Sequence, residues 1–350
     1  MGNSRPEHTA WGPGEIIHDN SIGWSGGGVR PRAGGPAMLR GLAWVGAQAR
    51  WVLAAGVIMA TFLPSLSSIL RPFLPGLVVL VLCVSIARLD LGVLARRATR
   101  PRRLAVLMVW TVALLVLTPV VVWAGASVAG LPPAHVAALV YTFVAPPISS
   151  APALCLLVGL DAGFALELTV VASLATPFIG PAVTKALLGE AVPLDTFDLA
   201  LRVAAMIALG VAAALAVRRA VGAERVARYG GAFDGVATVA LVLFVIPLFD
   251  GFWGLVLSQP WFALGTLALV LAANWGAQVA VALAARRGTG PELAGSAALM
   301  WGNRNVSIYF AALPPDPLFG LYVAFYQLPM LFTPLVLGRV LRGRGDGGVE

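Results

Sequence analysis

The stretch from Tyr141 to Gly159, Y-T-F-V-A-P-P-I-S-S-A-P-A-L-C-L-L-V-G, restricts the fold of this chain more than any other. It is too apolar for a surface loop and has long apolar runs on both sides. Yet Pro146-Pro147 and Pro152 cannot belong to one uninterrupted helix, because each proline removes a donor and clashes with the preceding turn. A second polar break, S-A-A-L-M-W-G-N-R-N-V-S-I-Y-F, runs from Ser296 to Phe310. Irregular backbone at membrane depth survives only where protein or a polar cavity surrounds it. Two interrupted spans, one in each half of a polytopic chain, point to the central site of a transporter.

Composition supports the membrane setting. The chain is 59% hydrophobic and only 11% Asp, Glu, Lys and Arg, against about 25% charged in soluble proteins. Its apolar runs approach the ~20 residues that cross a bilayer. The net charge of +8 comes from arginines clustered between those runs, where membrane topology explains them and nucleic acid need not be invoked. Cys83 and Cys155 both lie inside apolar runs, as buried free thiols; no metal or disulfide spacing is present. Residues 1–40 are rich in Gly, Pro, Ser and Asn, and read as a disordered cytoplasmic tail, neither a signal peptide nor a phosphate loop.

Ten spans fit, at roughly 44–63, 73–87, 104–124, 134–159, 164–188, 199–217, 234–253, 261–285, 292–312 and 318–338. The fourth breaks at Pro146-Pro147 and the ninth at Gly302–Asn305. Arginine-rich segments at 88–103, 218–228, 286–287 and 339–344 belong inside, which makes both termini cytoplasmic. Glu190, Asp195, Asp250 and Asp316 then fall outside, with Arg71 the exception, and His135 is expected at an interface. The two breaks are spaced like the starts of spans one and six. Residues 41–189 and 190–340 thus read as two five-span repeats, followed by a short tail at 341–350. An odd number of spans per repeat forces the second to be inverted. The expected fold is an all-α membrane protein of ten transmembrane helices with crossing broken helices four and nine, in a multi-pass bacterial inner-membrane protein.

The run A-P-P-I-S-S-A-P-A-L-C-L-L-V-G-L-D-A-G-F-A-L-E-L-T-V-V-A-S-L-A-T-P-F-I-G-P, Ala145 to Pro181, and G-N-R-N at 302–305 resemble spans four, five and nine of the bile acid:sodium symporter family. The resemblance covers about 44–338. It implies a core domain of spans three to five and eight to ten. A panel of spans one, two, six and seven moves against that core, and organic anions are carried with sodium. The chain departs from the family where sodium would bind. Ala151-Pro152 stand nearest its Ser-Asn pair, with Ser149 and Ser150 adjacent, and Ala298, Gly302 and Arg304 replace an acid, a Gln and a Ser in span nine. The serine ligand of span five falls at or near Glu167.

An intramembrane arginine and glutamate are costly unless paired or solvated, so Arg304 and Glu167 are expected to face one another at the crossover. A fixed ion pair, an anion-receiving Arg304 with a proton- or cation-exchanging Glu167, and separate solvation all stay open. Asn303 and Asn305 flank the arginine; Thr169 follows Glu167 in span five; Asn274 and Gln278 share a face of span eight, four residues apart. Trp275 and Trp301 are candidates to line a cavity. With no nucleophile–base pair and no metal motif the chain does not read as an enzyme. It reads as a transporter of a small anionic substrate with sodium or a proton as coupling ion, no cofactor and no nucleic-acid partner, in a monomer or homodimer. The alternatives are a transport-fold sensor or scaffold, or an arsenite-type oxyanion extruder.

Overall fold

The computed structural model describes residues 37–60, 62, 64–89 and 101–343. Most of the 1–40 tail, the core of the 88–103 arginine segment and the last seven residues lie outside the described part. Among the described residues there are helices and no strand. In chain order they are α1 (Ala37–Ala47), α2 (Ala49–Ala60), α3 (Pro64–Leu70), α4 (Leu74–Ala87), α5 (Pro101–Val112), α6 (Thr118–Val128), α7 (Pro133–Val144), α8 (Ala151–Val158) and α9 (Ala162–Leu188). The second half holds α10 (Thr196–Val221), α11 (Ala223–Arg228), α12 (Gly230–Val245), α13 (Phe252–Ser258), α14 (Pro260–Ala285), α15 (Pro291–Gly302), α16 (Ser307–Ala312), α17 (Pro317–Val336) and α18 (Gly338–Arg342). By length and composition seven helical segments of the described residues can cross a membrane, or eight when the pair Ala37–Ala47 and Trp51–Ala60 counts as one. The chain is therefore an all-α, multi-pass membrane protein.

The outer surface is that of a lipid-facing protein. Val128 is 90% exposed, Trp261 83% and Leu335 81%, an arrangement that water would penalise and hydrocarbon accepts. Polar groups turn inward instead: Thr142, Asn274, Gln278, Asn303 and Arg304 are all buried.

Two sets of helices organise the interior. In one, α12 packs against α1, α2 and α4, and α10 lies along α4. The contact is close enough that a Cβ on Gly235 would strike the main chain of Leu42. In the other, α14 packs on α15 and α17, and α9 on α7, α8 and the α5–α6 helix. The turn between α8 and α9 is short because Gly159 adopts φ 76°, in the left-handed region. Its amide and that of Leu160 then close the helix on Leu156 and Cys155, at 3.1 and 2.8 Å. Asp161 at once caps α9, accepting from the Phe164 amide at 2.8 Å.

The first span differs from expectation. Instead of one straight helix over 44–63, the two pieces meet at 84°. The turn falls at Gln48, whose amide bonds to the Trp44 and Val45 carbonyls together. His135, in the first turn of α7, is also packed inside the protein. It is buried, its Nε2 lies 2.7 Å from Thr266 Oγ1, and its ring stacks on Phe262 at 4.5 Å. The hydroxyl on α14 gives the ring a partner inside the bundle. Arg71 loses its status as a stray cation by pairing with Asp250 at 2.9 Å.

Candidate functional site

The prolines end α7 at Val144, and α8 starts only at Ala151. In the other half α15 stops at Gly302, and α16 begins at Ser307. The two gaps meet. The Ile148 amide donates to the Asn303 carbonyl at 3.0 Å, and the Asn305 amide to the Pro146 carbonyl at 2.7 Å. Pro147 and Arg304 thereby form an antiparallel bridge. Groups that neither half-helix can satisfy alone are satisfied by the other break, as burial requires.

Side chains complete the accounting. Asn274 Nδ2 donates to the Gly302 carbonyl at 2.5 Å, which also accepts from the Tyr326 hydroxyl. Tyr326 Oη accepts in turn from the Arg304 amide at 3.0 Å, so one phenol spans the gap left by α15. Gln278 Nε2 donates to Asn274 Oδ1 at 2.7 Å and to Thr333 Oγ1 at 3.0 Å. Only glycine fits at 302, since a Cβ there would meet the Asn274 main chain and the Gln278 side chain. Asn303 Nδ2 donates to the Leu299 carbonyl at 2.8 Å, while its Oδ1 is buried with no protein partner.

Arg304 is 1% exposed and, among the described residues, has no carboxylate on it. Its Nε donates to the Trp301 carbonyl at 3.0 Å, Nη1 to Ala145 at 3.1 Å and Nη2 to Leu114 at 3.2 Å. Each of these oxygens has been orphaned by a local break. In α15 the Trp301 carbonyl would bond the amide of residue 305, which instead serves Pro146. The Ala145 carbonyl follows the end of α7 and precedes two prolines that have no N–H. Leu114 lies in a π-helical turn, Ala113–Leu117, where the Thr118 amide bonds to Ala113. The next donor in that register would be Pro119, which has none. Phe143 and Trp301 place their rings 5.6 and 5.7 Å from the guanidinium carbon, close enough for cation–π attraction.

The expected Arg304–Glu167 pair is therefore corrected. Glu167 is buried in the second turn of α9, where Oε2 accepts from Arg103 Nε at 2.7 Å. Arg103 comes from the first turn of α5 and is partly exposed, so its charge remains near solvent. Thr169 donates to Met300 Sδ at 3.8 Å, tying α9 to α15 beside the break. Ser149 is half-buried and Ser150 exposed at the head of α8; Asn305 Oδ1 accepts from the Ser307 hydroxyl. Asn274, Gln278, Asn303, Arg304 and Asn305 thus converge at the crossover, with Ser149 at its edge, whereas Glu167 belongs to a separate ion pair. Trp301 is buried and donates to Thr118 Oγ1 at 2.7 Å, and half-buried Trp275 donates to the Pro329 carbonyl at 3.3 Å.

Tyr326, Leu114 and Thr333 were not expected at the site. Tyr326-Gln327 is an adjacent polar pair in a largely apolar span, and Pro119 five residues after Leu114 is the mark of a lost donor; both signals were in the sequence. A cavity of about 340 Å³ lies between Ser68–Pro75 and Phe310–Pro315, and one of about 360 Å³ between Arg286, Thr289, Pro291 and Gly343. Neither is lined by the crossover residues. Compared with known proteins, the chain matches no family model and no curated protein.

Proposed function

We propose that the chain is a secondary active transporter of a small organic anion, built as ten spans in two inverted five-helix repeats and related in plan to the bile acid:sodium symporters. The observation that carries this reading is the antiparallel main-chain pairing of the two helix breaks at Pro147 and Arg304. Such a joint is expensive to build in a bilayer and has its use where half-helix ends must be presented to a solute.

Order and packing support the same plan. On the ten-span plan the interrupted helices, α7–α8 and α15–α16, would be the fourth span of each half. The helices α1, α2, α4, α10 and α12 would form the panel, and α5–α9 with α14–α17 the core. The charge favours an anion. Among the described residues Arg304 is a cation without a carboxylate, the heads of α8 and α16 turn positive dipole ends toward the breaks, and the buried carboxylate of Glu167 is paired with Arg103 away from the crossover.

The test is a melting-temperature screen of small organic anions against the detergent-purified protein at pH 6 and pH 8, followed by uptake into liposomes. Saturable uptake of a stabilising anion, driven by a proton or sodium gradient, is the expected result. Ligands that stabilise the protein but never cross the bilayer under either gradient would replace this reading with that of a sensor.

A further inference from the structure

We propose that the Arg304 guanidinium is a tethered cation, occupying permanently a main-chain carbonyl site that would otherwise take a free monovalent cation. The inference rests on the transport reading only for its consequence, a carrier that needs no sodium. The site itself stands on geometry.

The carbonyls of Trp301, Ala145 and Leu114 surround one buried positive group at 3.0, 3.1 and 3.2 Å. Two of them lie at the C-terminal ends of α15 and α7, where the helix dipole is negative, and the third is freed by the π-turn. Three orphaned oxygens and two negative dipole ends converging in a water-poor interior attract a hard cation. Among the described residues no carboxylate competes for the group, and two aromatic faces close the sides. A guanidinium fits this role better than an ammonium because its planar donors are fixed in direction and it is weakly hydrated. Three of its five N–H donors, one on each nitrogen, go to main-chain oxygens, so the group is held as part of the joint and its charge reaches a solute only through the surrounding field.

Two readouts in detergent test the site without transport. Arg304→Lys and Arg304→Met have similar bulk and differ in charge. A cation site predicts that the Lys variant melts above the Met variant by about 3 °C or more, whereas a merely space-filling arginine predicts the reverse order. The smaller Arg304→Ala variant should be stabilised by millimolar guanidinium, and to a lesser degree by sodium, relative to choline at equal ionic strength. The wild type should melt identically in sodium and choline. A Met variant that equals or exceeds the Lys variant, or a wild type stabilised by sodium, overturns the proposal. Should Arg304→Ala not fold, the Lys–Met comparison decides. A protein that passes these tests yet moves no anion into liposomes refutes the transport reading and leaves the tethered cation standing.

Discussion

Arg103 holds Glu167 at 2.7 Å, joining the first turn of α5 to the second turn of α9. One partner is buried and the other reaches toward solvent, at 2% and 38% exposure. This is how a membrane protein keeps a carboxylate inside a helix bundle without placing a whole ion pair there.

Removing Arg103 should therefore matter more than removing an ordinary surface arginine. Arg103→Met leaves the Glu167 carboxylate buried and should lower stability by about 1–3 kcal/mol, less than a fully buried pair because the arginine is partly screened. Adding Glu167→Gln should recover much of that loss. Combined with Arg304→Met, the same Glu167→Gln should give additive losses, since among the described residues the Arg103 partner of Glu167 and the three carbonyls of Arg304 are distinct. A double-mutant cycle by detergent melting measures both couplings; coupling of Glu167 to Arg304 alone contradicts the geometry.

The main-chain joint predicts an unusual sensitivity at Ile148. Ile148→Pro deletes the amide that donates to Asn303, leaving a buried carbonyl unsatisfied, at about 1–3 kcal/mol. Ile148→Ala keeps the bond and should melt close to the wild type, because Ile148 is only half-buried. Equal melting temperatures for the two variants would exclude the joint.

Tyr326→Phe removes one oxygen that serves both the Gly302 carbonyl and the Arg304 amide. A loss of about 1–3 kcal/mol is expected, with the aromatic contact to Tyr322 retained. Thermal unfolding of the single variant is sufficient to see it.

Topology is tested by single cysteines in a background lacking Cys83 and Cys155, both buried. Pro193→Cys and Pro315→Cys, at exposed positions, should react with a membrane-impermeant reagent in intact cells, and exposed Ala223→Cys should react only after permeabilisation. Labelling of position 223 from outside would invert the assignment.

The breaks were legible because proline and a run of Gly-Asn-Arg-Asn announce them in the alphabet of side chains. Expected half-spans beginning near 134 and 292 begin at Pro133 and Pro291. Buried Asn274 and Gln278 were legible for the same reason, as a polar pair at helical spacing. The surroundings of Arg304 were not. Charge matching pointed to Glu167, but the oxygens that hold the guanidinium are carbonyls, which every residue carries and only a lost donor elsewhere exposes. Pro119 was the trace of one such loss, and reading it required the π-helical register of Ala113–Leu117. The bend at Gln48 had no proline to mark it, only Gly46 two residues earlier.

The bonds between residues 146–148 and 303–305 run from peptide to peptide and name no side chain. A proline at 148 or 305 would delete one of these bonds and a replacement of Arg304 would free the carbonyls it holds, but the other side chains of the two gaps take no part in the peptide-to-peptide bonds. If the chain is the transporter proposed above, its descendants could exchange the groups that meet the solute while inheriting the same frame, and the crossover would be a socket for new specificities.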